Sequence, residues 1–180
     1  MKKDYEINIE IPQEIKCSLN GNLLESVKGN TKLVKKFVLN NLTMSVNGSK
    51  IIISCKSAGR KDVANANSYV AHIKNIFRGL NQRFVYEMEI CNVHFPMTAK
   101  VEKNHVSIIN FLGEKVARSA KILEDTEVKI EGNKITVSSV YVEKAGQTAA
   151  NIEKATTVTN KDRRIFQDGI FITKKPEADL

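Results

Sequence analysis

Apolar and polar residues alternate near the start of the chain, where Ile7, Ile9 and Ile11 are separated by Asn8 and Glu10. A period of two marks a strand with one buried face, and Pro12 ends it. Segments 15–19 and 23–27 flank Asn20-Gly21-Asn22, residues that tolerate positive φ, so the three form a hairpin turn. Strands over 32–39 and 44–46 follow. Asn47-Gly48 then turns the chain into 50–56, where Ile51, Ile53 and Cys55 share one face. Beyond this point the period changes. Val63, Ala66, Val70, Ile73, Phe77 and Leu80 recur at steps of three and four, the apolar stripe of a helix over about 61–79. His72 falls on its polar side, and Gly79 stands where a left-handed residue can end it.

The same plan returns 84 residues later. Pro12, Lys16, Asn20, Gly29, Gly48, Lys50, Ile51 and Ser54 fall on Pro96, Lys100, Asn104, Gly113, Gly132, Lys134, Ile135 and Ser138. VNGSKIIIS (46–54) aligns with IEGNKITVS (130–138) without a gap. Strands are expected near 84–94, 98–103, 105–111, 115–123, 126–131 and 134–140. A helix is expected near 142–156, with Ala145, Ala149, Ile152 and Thr156 inward. The expected fold class is α+β. Two tandem duplicated domains each form a small, mostly antiparallel β-sheet covered by one α-helix. Their expected limits are 1–82 and 83–174. Residues 175–180 are a charged C-terminal tail, interrupted by Pro176 and mobile when free.

Composition narrows the possible functions. The chain has 180 residues, 42% hydrophobic and 27% charged, an ordinary globular balance. Its net charge of +8 and pI near 9.4 point to a polyanionic partner, with nucleic acid first and an anionic membrane second. The surplus is uneven: residues 1–82 hold 13 Lys/Arg against 6 Asp/Glu, and residues 83–180 hold 15 against 14. No run approaches the ~18 apolar residues of a membrane span, and the opening residues are not read as a signal peptide. Cys17, Cys55 and Cys91 are odd in number and far apart, which gives neither a disulfide framework nor zinc pairs. Free thiols fit an intracellular, reducing compartment.

Reactive constellations are missing. Gly113-Glu114-Lys115 lacks the upstream glycine and the following Ser/Thr of a phosphate-binding loop. His72, His94 and His105 are not at metal-ligand spacing, and His94 beside Phe95-Pro96 reads as a turn or interface residue. No catalytic residue, metal, cofactor or small-molecule substrate is therefore expected. Basic clusters carry more information. Lys161, Arg163 and Arg164 lie in TNKDRRIFQDG, Lys174-Lys175 follow a strand, and Lys115, Arg118 and Lys121 are three apart. Lys100 and Lys103 complete the candidate RNA-binding set. Arginine offers a fixed fork of donors suited to phosphate, and lysine a mobile point charge. The bland alternative for each cluster is a solvated surface.

Within the first cluster, Asn160 or Asp162 can cap a short helical turn with Lys161 and Arg164 on one face. Asp168-Gly169 ends that turn or forms a tight turn, with Gly169 at positive φ. Phe166 packs under the loop in preference to stacking on a base, and Ile170 and Ile172 belong to a final strand at the sheet edge.

The stretch ATTVTNKDRRIFQDGIF (155–171) closely resembles the C-terminal signature of the universal large-subunit ribosomal protein six family, in its archaeal and eukaryotic cytosolic branch. Val158, Lys161, Arg164, Phe166, Asp168, Gly169, Ile170, Phe171 and Lys174 meet its positions, and HFP (94–96) and NFLGEK (110–115) are also similar. Lys154 departs from it, standing where glutamine is usual. The resemblance spans nearly the whole chain. It implies a two-domain structural protein that binds large-subunit ribosomal RNA near the sarcin–ricin loop and stalk base, beside neighbouring ribosomal proteins in the cytoplasm. It also implies that the second domain and tail make much of the RNA contact, and that there is no catalysis and no cofactor. The alternatives are a free-standing RNA-binding regulator and an RNA-modifying enzyme.

Overall fold

The computed structural model describes residues 3–177 and divides the chain into two compact units, 1–82 and 83–180. In the first unit, β1 (Lys3–Glu10), β6 (Lys50–Ala58) and β5 (Thr43–Asn47) form one antiparallel sheet in the order β1-β6-β5. β2 (Lys16–Asn20), β3 (Leu23–Lys28) and β4 (Thr31–Lys36) form an antiparallel meander. Ile9 pairs with Ile51 and Ile7 with Ile53, so the alternating apolar positions meet on the covered face. The helix α1 (Arg60–Asn81) packs on β6, β3, β1 and β4. Its buried side comprises Ala66, Ile73, Ile76, Phe77, Gly79 and Leu80.

Three expectations for this helix need correction. Val63 and Val70 are only half-buried, while Ile76 is buried. Gly79 does not stop the helix: it is buried within the last turns, and Gln82 caps the end by donating its N–H to the Arg78 carbonyl. His72, expected on a solvated face, lies 3.2 Å from the Lys35 Nζ.

The second unit repeats this topology. β7 (Phe84–Cys91), β12 (Lys134–Ser139) and β11 (Thr126–Glu131) take the places of β1, β6 and β5. β8 (Thr98–Glu102), β9 (His105–Ile109) and β10 (Arg118–Lys121) replace the meander. The matched glycines carry matched backbones: Gly48 has φ +55° and Gly132 φ +59°, each in a tight turn between paired strands. The observed β9 and β10 are shorter than expected. Asn110 and Leu112 adopt left-handed backbones beside a 3-10 turn over Phe111–Gly113, and a ladder cannot continue through them.

The two units part company at their helices. The helix α2 (Val142–Ala155) has 14 residues, whereas α1 has 22. Ala155 matches Ala71, which lies in the middle of α1. Past Ala155 the run Thr156-Thr157-Val158-Thr159 disfavours helix because β-branched side chains lose rotamer freedom against the preceding turn. The chain instead forms a loop over 156–168 and returns as β13 (Gly169–Lys174), antiparallel to β7. The sheet order is thus β11-β12-β7-β13, and among the described residues no corresponding strand flanks β1. Met88, Ile90, Ile108, Phe111, Ile135, Ile152 and Ile170 anchor the core of this unit. In the tail, 178–180 lie outside the described residues, and the expectation of mobility there lies outside them too. Among the described residues no helix is long and apolar enough to cross a membrane, and no group of His, Cys, Asp or Glu could hold a metal ion.

Candidate nucleic-acid interface

The 156–168 loop is tied down at both ends and in its middle. At its start, the Thr156 hydroxyl donates to the Glu153 carbonyl (3.1 Å) and accepts the Ile170 N–H (2.9 Å), joining the helix end to β13. Arg118 reaches across from β10. Its Nη1 donates to the carbonyls of Ala155 (2.9 Å) and Thr157 (3.2 Å). Its Nε and Nη2 grip both carboxylate oxygens of Glu114, at 2.8 and 2.6 Å, and the guanidinium lies 4.2 Å from the Phe111 ring centre. The hydrogen bond and charge of Arg118 hold the Glu114 carboxyl below its ordinary value against the opposing effect of burial.

At the far end stands Asp168, whose side chain is 2% exposed. It accepts the N–H of Val93 (2.9 Å), the N–H of His94 (3.2 Å) and the His94 Nδ1 (3.1 Å). Burial pushes this carboxyl up, but the Val93 N–H and the ring and N–H of His94 outweigh it, and the net direction is down. The His94 ring stacks on Phe166, with centroids 4.9 Å apart and planes 29° apart, and the Lys161 ammonium sits 4.6 Å from the Phe166 ring centre. Two stretches read separately in the sequence, HFP and QDG, therefore meet through one carboxylate. Nothing in their spacing announces this contact.

In the middle, Asp162 begins a hydrogen-bonded turn. Its carbonyl accepts the N–H of Ile165 (3.1 Å) and of Phe166 (2.9 Å), and its Oδ1 accepts the Arg164 N–H (3.0 Å). The Arg164 guanidinium also donates to Asp162 through Nε (3.2 Å) and Nη2 (2.8 Å). That side chain is nonetheless 90% exposed, so its remaining donors face solvent. Lys161 precedes the turn, and the expected helical face shared with Arg164 does not form. The hydrogen-bonded turn starts only at the Asp162 carbonyl, after Lys161, and Asn160 just before Lys161 takes φ +58°, so no helical turn includes Lys161. Gly169 corrects a second expectation: its φ is not positive. A Cβ there would stand 2.9 Å from the Phe171 ring, so close approach explains the glycine.

The remaining candidates are scattered. Lys115 is exposed before β10, and Arg118 and Lys121, an odd distance apart on that strand, project to opposite faces. The trio is therefore no cluster, and Arg118 is committed to protein partners. Lys103 occupies the β8–β9 turn with φ +41°, and Lys121 pairs in register with His105, so both lie at one end of the small sheet. Lys100 is exposed on β8. Lys174 lies 3.7 Å from Glu87 on β13, and Lys175 is exposed just beyond it. Across 154–175 there are six Lys/Arg and two Asp, and Asp168 is buried, so the second unit's near-neutral total conceals a strongly basic segment. Lys154 belongs to it, on a wall of the cavity beneath the loop.

Comparison with known proteins identifies the family. Residues 95–169 match the profile of the family described as Ribosomal protein L6. The large ribosomal subunit protein uL6 of Methanosarcina mazei is 38% identical over 175 residues, 97% of this chain and 99% of that protein. The uL6 proteins of Methanocella arvoryzae and Haloarcula marismortui are each 37% identical, over 93% and 94% of this chain and 95% and 96% of their own lengths. Likeness of this extent places the chain in the ribosomal protein L6 family. That membership makes it a structural protein of the translation apparatus, not an enzyme.

Proposed function

We propose that this protein is a structural component of the large ribosomal subunit whose 156–168 loop clamps the phosphate backbone of large-subunit ribosomal RNA. The single observation that carries the reading is the loop itself. Arg163 and Arg164 are exposed on a turn that Asp162, Thr156, Arg118 and Asp168 hold in place, with Lys161 beside them. Donors that are already oriented lose little freedom on meeting an anion. Lys174 and Lys175 extend the basic track beyond β13, and Lys100, Lys103, Lys115 and Lys121 offer secondary contacts. Residues 83–174 form the RNA-binding domain on this reading, beside a first domain over 1–82. The resemblance to the ribosomal family further supports a position near the sarcin–ricin loop and the stalk base, among neighbouring ribosomal proteins in the cytoplasm.

The test has two arms. In a cell extract the protein should sediment with large subunits at moderate salt; recovery in light fractions alone refutes the ribosomal role. With purified protein and a large-subunit RNA fragment, affinity should fall steeply with salt. Changing Lys161 and Arg164 together to alanine removes two phosphate contacts. The slope of log affinity against log salt should shrink by about 1.4–1.8, without a change in sequence preference. An unchanged slope means that these two residues are solvated and that the RNA binds elsewhere.

A further inference from the structure

We infer that the cavity beneath the 156–168 loop receives one unpaired nucleotide of the bound RNA. Its base lies on the Phe171 ring, and its phosphates lie on Arg163 and Arg164. The inference rests on the reading of the loop as an RNA clamp and names what that clamp holds.

The cavity has a volume of about 1050 Å³. That is just above the roughly 300–1,000 Å³ range of clefts that enclose small ligands. Cys91, Val93, Val158, Phe166 and Phe171 supply its apolar wall, and Lys154, Arg163 and Arg164 its cationic side. Phe171 is 39% exposed, although its neighbour Ile170 on β13 is fully buried. The ring lies over Gly169, where a methyl group would come within 2.9 Å of the ring carbon Cζ. An aromatic ring open to solvent inside a cleft lined by arginines is the arrangement on which unpaired bases stack. Phe166 is less suited, because His94 stacks on it and Lys161 lies over its ring.

Two acidic residues line the same cavity, each engaged with backbone N–H groups, against the three cations Lys154, Arg163 and Arg164. Glu153 accepts the Ile172 N–H through Oε1 (3.3 Å), and Asp168 is turned onto the backbone of Val93 and His94. The apolar wall selects a flat, uncharged group, and the cationic side selects an anion attached to it. An unpaired nucleotide carries both. An acidic peptide with an aromatic residue is the competing ligand, and the test includes it.

The full chain is titrated with RNA hairpins that differ only in one bulged nucleotide, each of the four bases in turn, against the fully paired hairpin. At least one bulged hairpin should bind between about 5-fold and about 140-fold tighter than the paired one, the range that stacking of a single base provides. A 2-aminopurine in the bulge should lose fluorescence on binding. Phe171→Ala should abolish both effects and leave the salt slope unchanged. Thr157→Met extends an aliphatic side chain into the cavity from an exposed position, adds no aromatic surface and should weaken both effects, so the test survives a Phe171 variant that fails to fold. Equal affinity for paired and bulged hairpins, or a preference undiminished in both variants, overturns the proposal. So does an acidic aromatic peptide that binds where the bulged hairpin does not. An unchanged salt slope in Lys161→Ala/Arg164→Ala, with the bulge preference retained, refutes the clamp alone. A reduced slope with no preference for any bulged hairpin refutes the pocket alone.

Discussion

Asp168→Asn isolates the charge at the base of the loop while keeping the shape of the side chain. The native carboxylate accepts two backbone N–H groups and the His94 ring from a position 2% exposed to solvent. Hydrogen bonds to an ionised acceptor contribute about 1.5–3 kcal/mol each, against about 1 kcal/mol for neutral ones. The amide retains one acceptor oxygen and presents an NH2 to a donor in place of the other, so a loss of about 2–4 kcal/mol is expected. At roughly 2–4 °C per kcal/mol for a chain of this size, the melting temperature should fall by about 4–16 °C at neutral pH. The sign of the pH dependence follows from the direction of the shift. A carboxyl held below its ordinary value stabilises the fold above the unfolded-state pKa, about 3.9, and that contribution is lost as pH falls through the folded value. The gap between wild type and Asp168→Asn should therefore stay constant from pH 7 to about pH 5. It should close in stronger acid, where the protonated acid resembles the amide. Calorimetric or urea unfolding of both proteins across that range measures it. Equal stability at pH 7, or a gap that does not narrow below pH 4, refutes the assignment of Asp168 as the ionised anchor.

Arg118→Met should lower the melting temperature through about 1–3 kcal/mol of lost bonds to Glu114 and the helix-end carbonyls. It should leave the salt slope of RNA binding unchanged; a reduced slope would make Arg118 a direct RNA contact. Gly169→Ala should cost about 1–3 kcal/mol by pushing the Phe171 ring aside, and Phe171→Ala should relieve most of that cost. A urea-unfolding double-mutant cycle with no coupling between the two positions rules out the close-approach explanation. Gly48→Ala and Gly132→Ala should each cost about 1–2 kcal/mol, because both glycines are left-handed with open space around the missing Cβ. Costs that differ widely between the two would argue against structurally equivalent turns.

The sequence by itself determined the class of fold, its duplication and the family. These features rest on local physics that repeats along the chain. Alternation at Ile7, Ile9 and Ile11 specifies a strand face, Asn-Gly and its counterparts specify turns, and a three-four stripe specifies a helix. An offset that maps Gly48 onto Gly132 preserves all three at once. Helix limits were less legible. Gly79 resembles a stop signal, but packing buried it within the last turns, and the end of α2 was set by the β-branched run at 156–159.

Only the tertiary structure decided which charges face outward. Arg118 and Arg164 are the same residue type a short distance from the same loop, yet one is spent on Glu114 and two carbonyls while the other is 90% exposed. Asp168 looked like a turn residue and is instead the buried acceptor that joins HFP to the loop. Gly169 looked like a φ requirement and is a contact requirement. For Arg118 and Asp168 the reason is the same. A backbone preference depends on a residue and its few neighbours in sequence, whereas a charge or a contact depends on what the fold brings opposite it. Here those partners are 74 and 75 residues away for Asp168, and 37 and 39 residues away for the two carbonyls that hold Arg118.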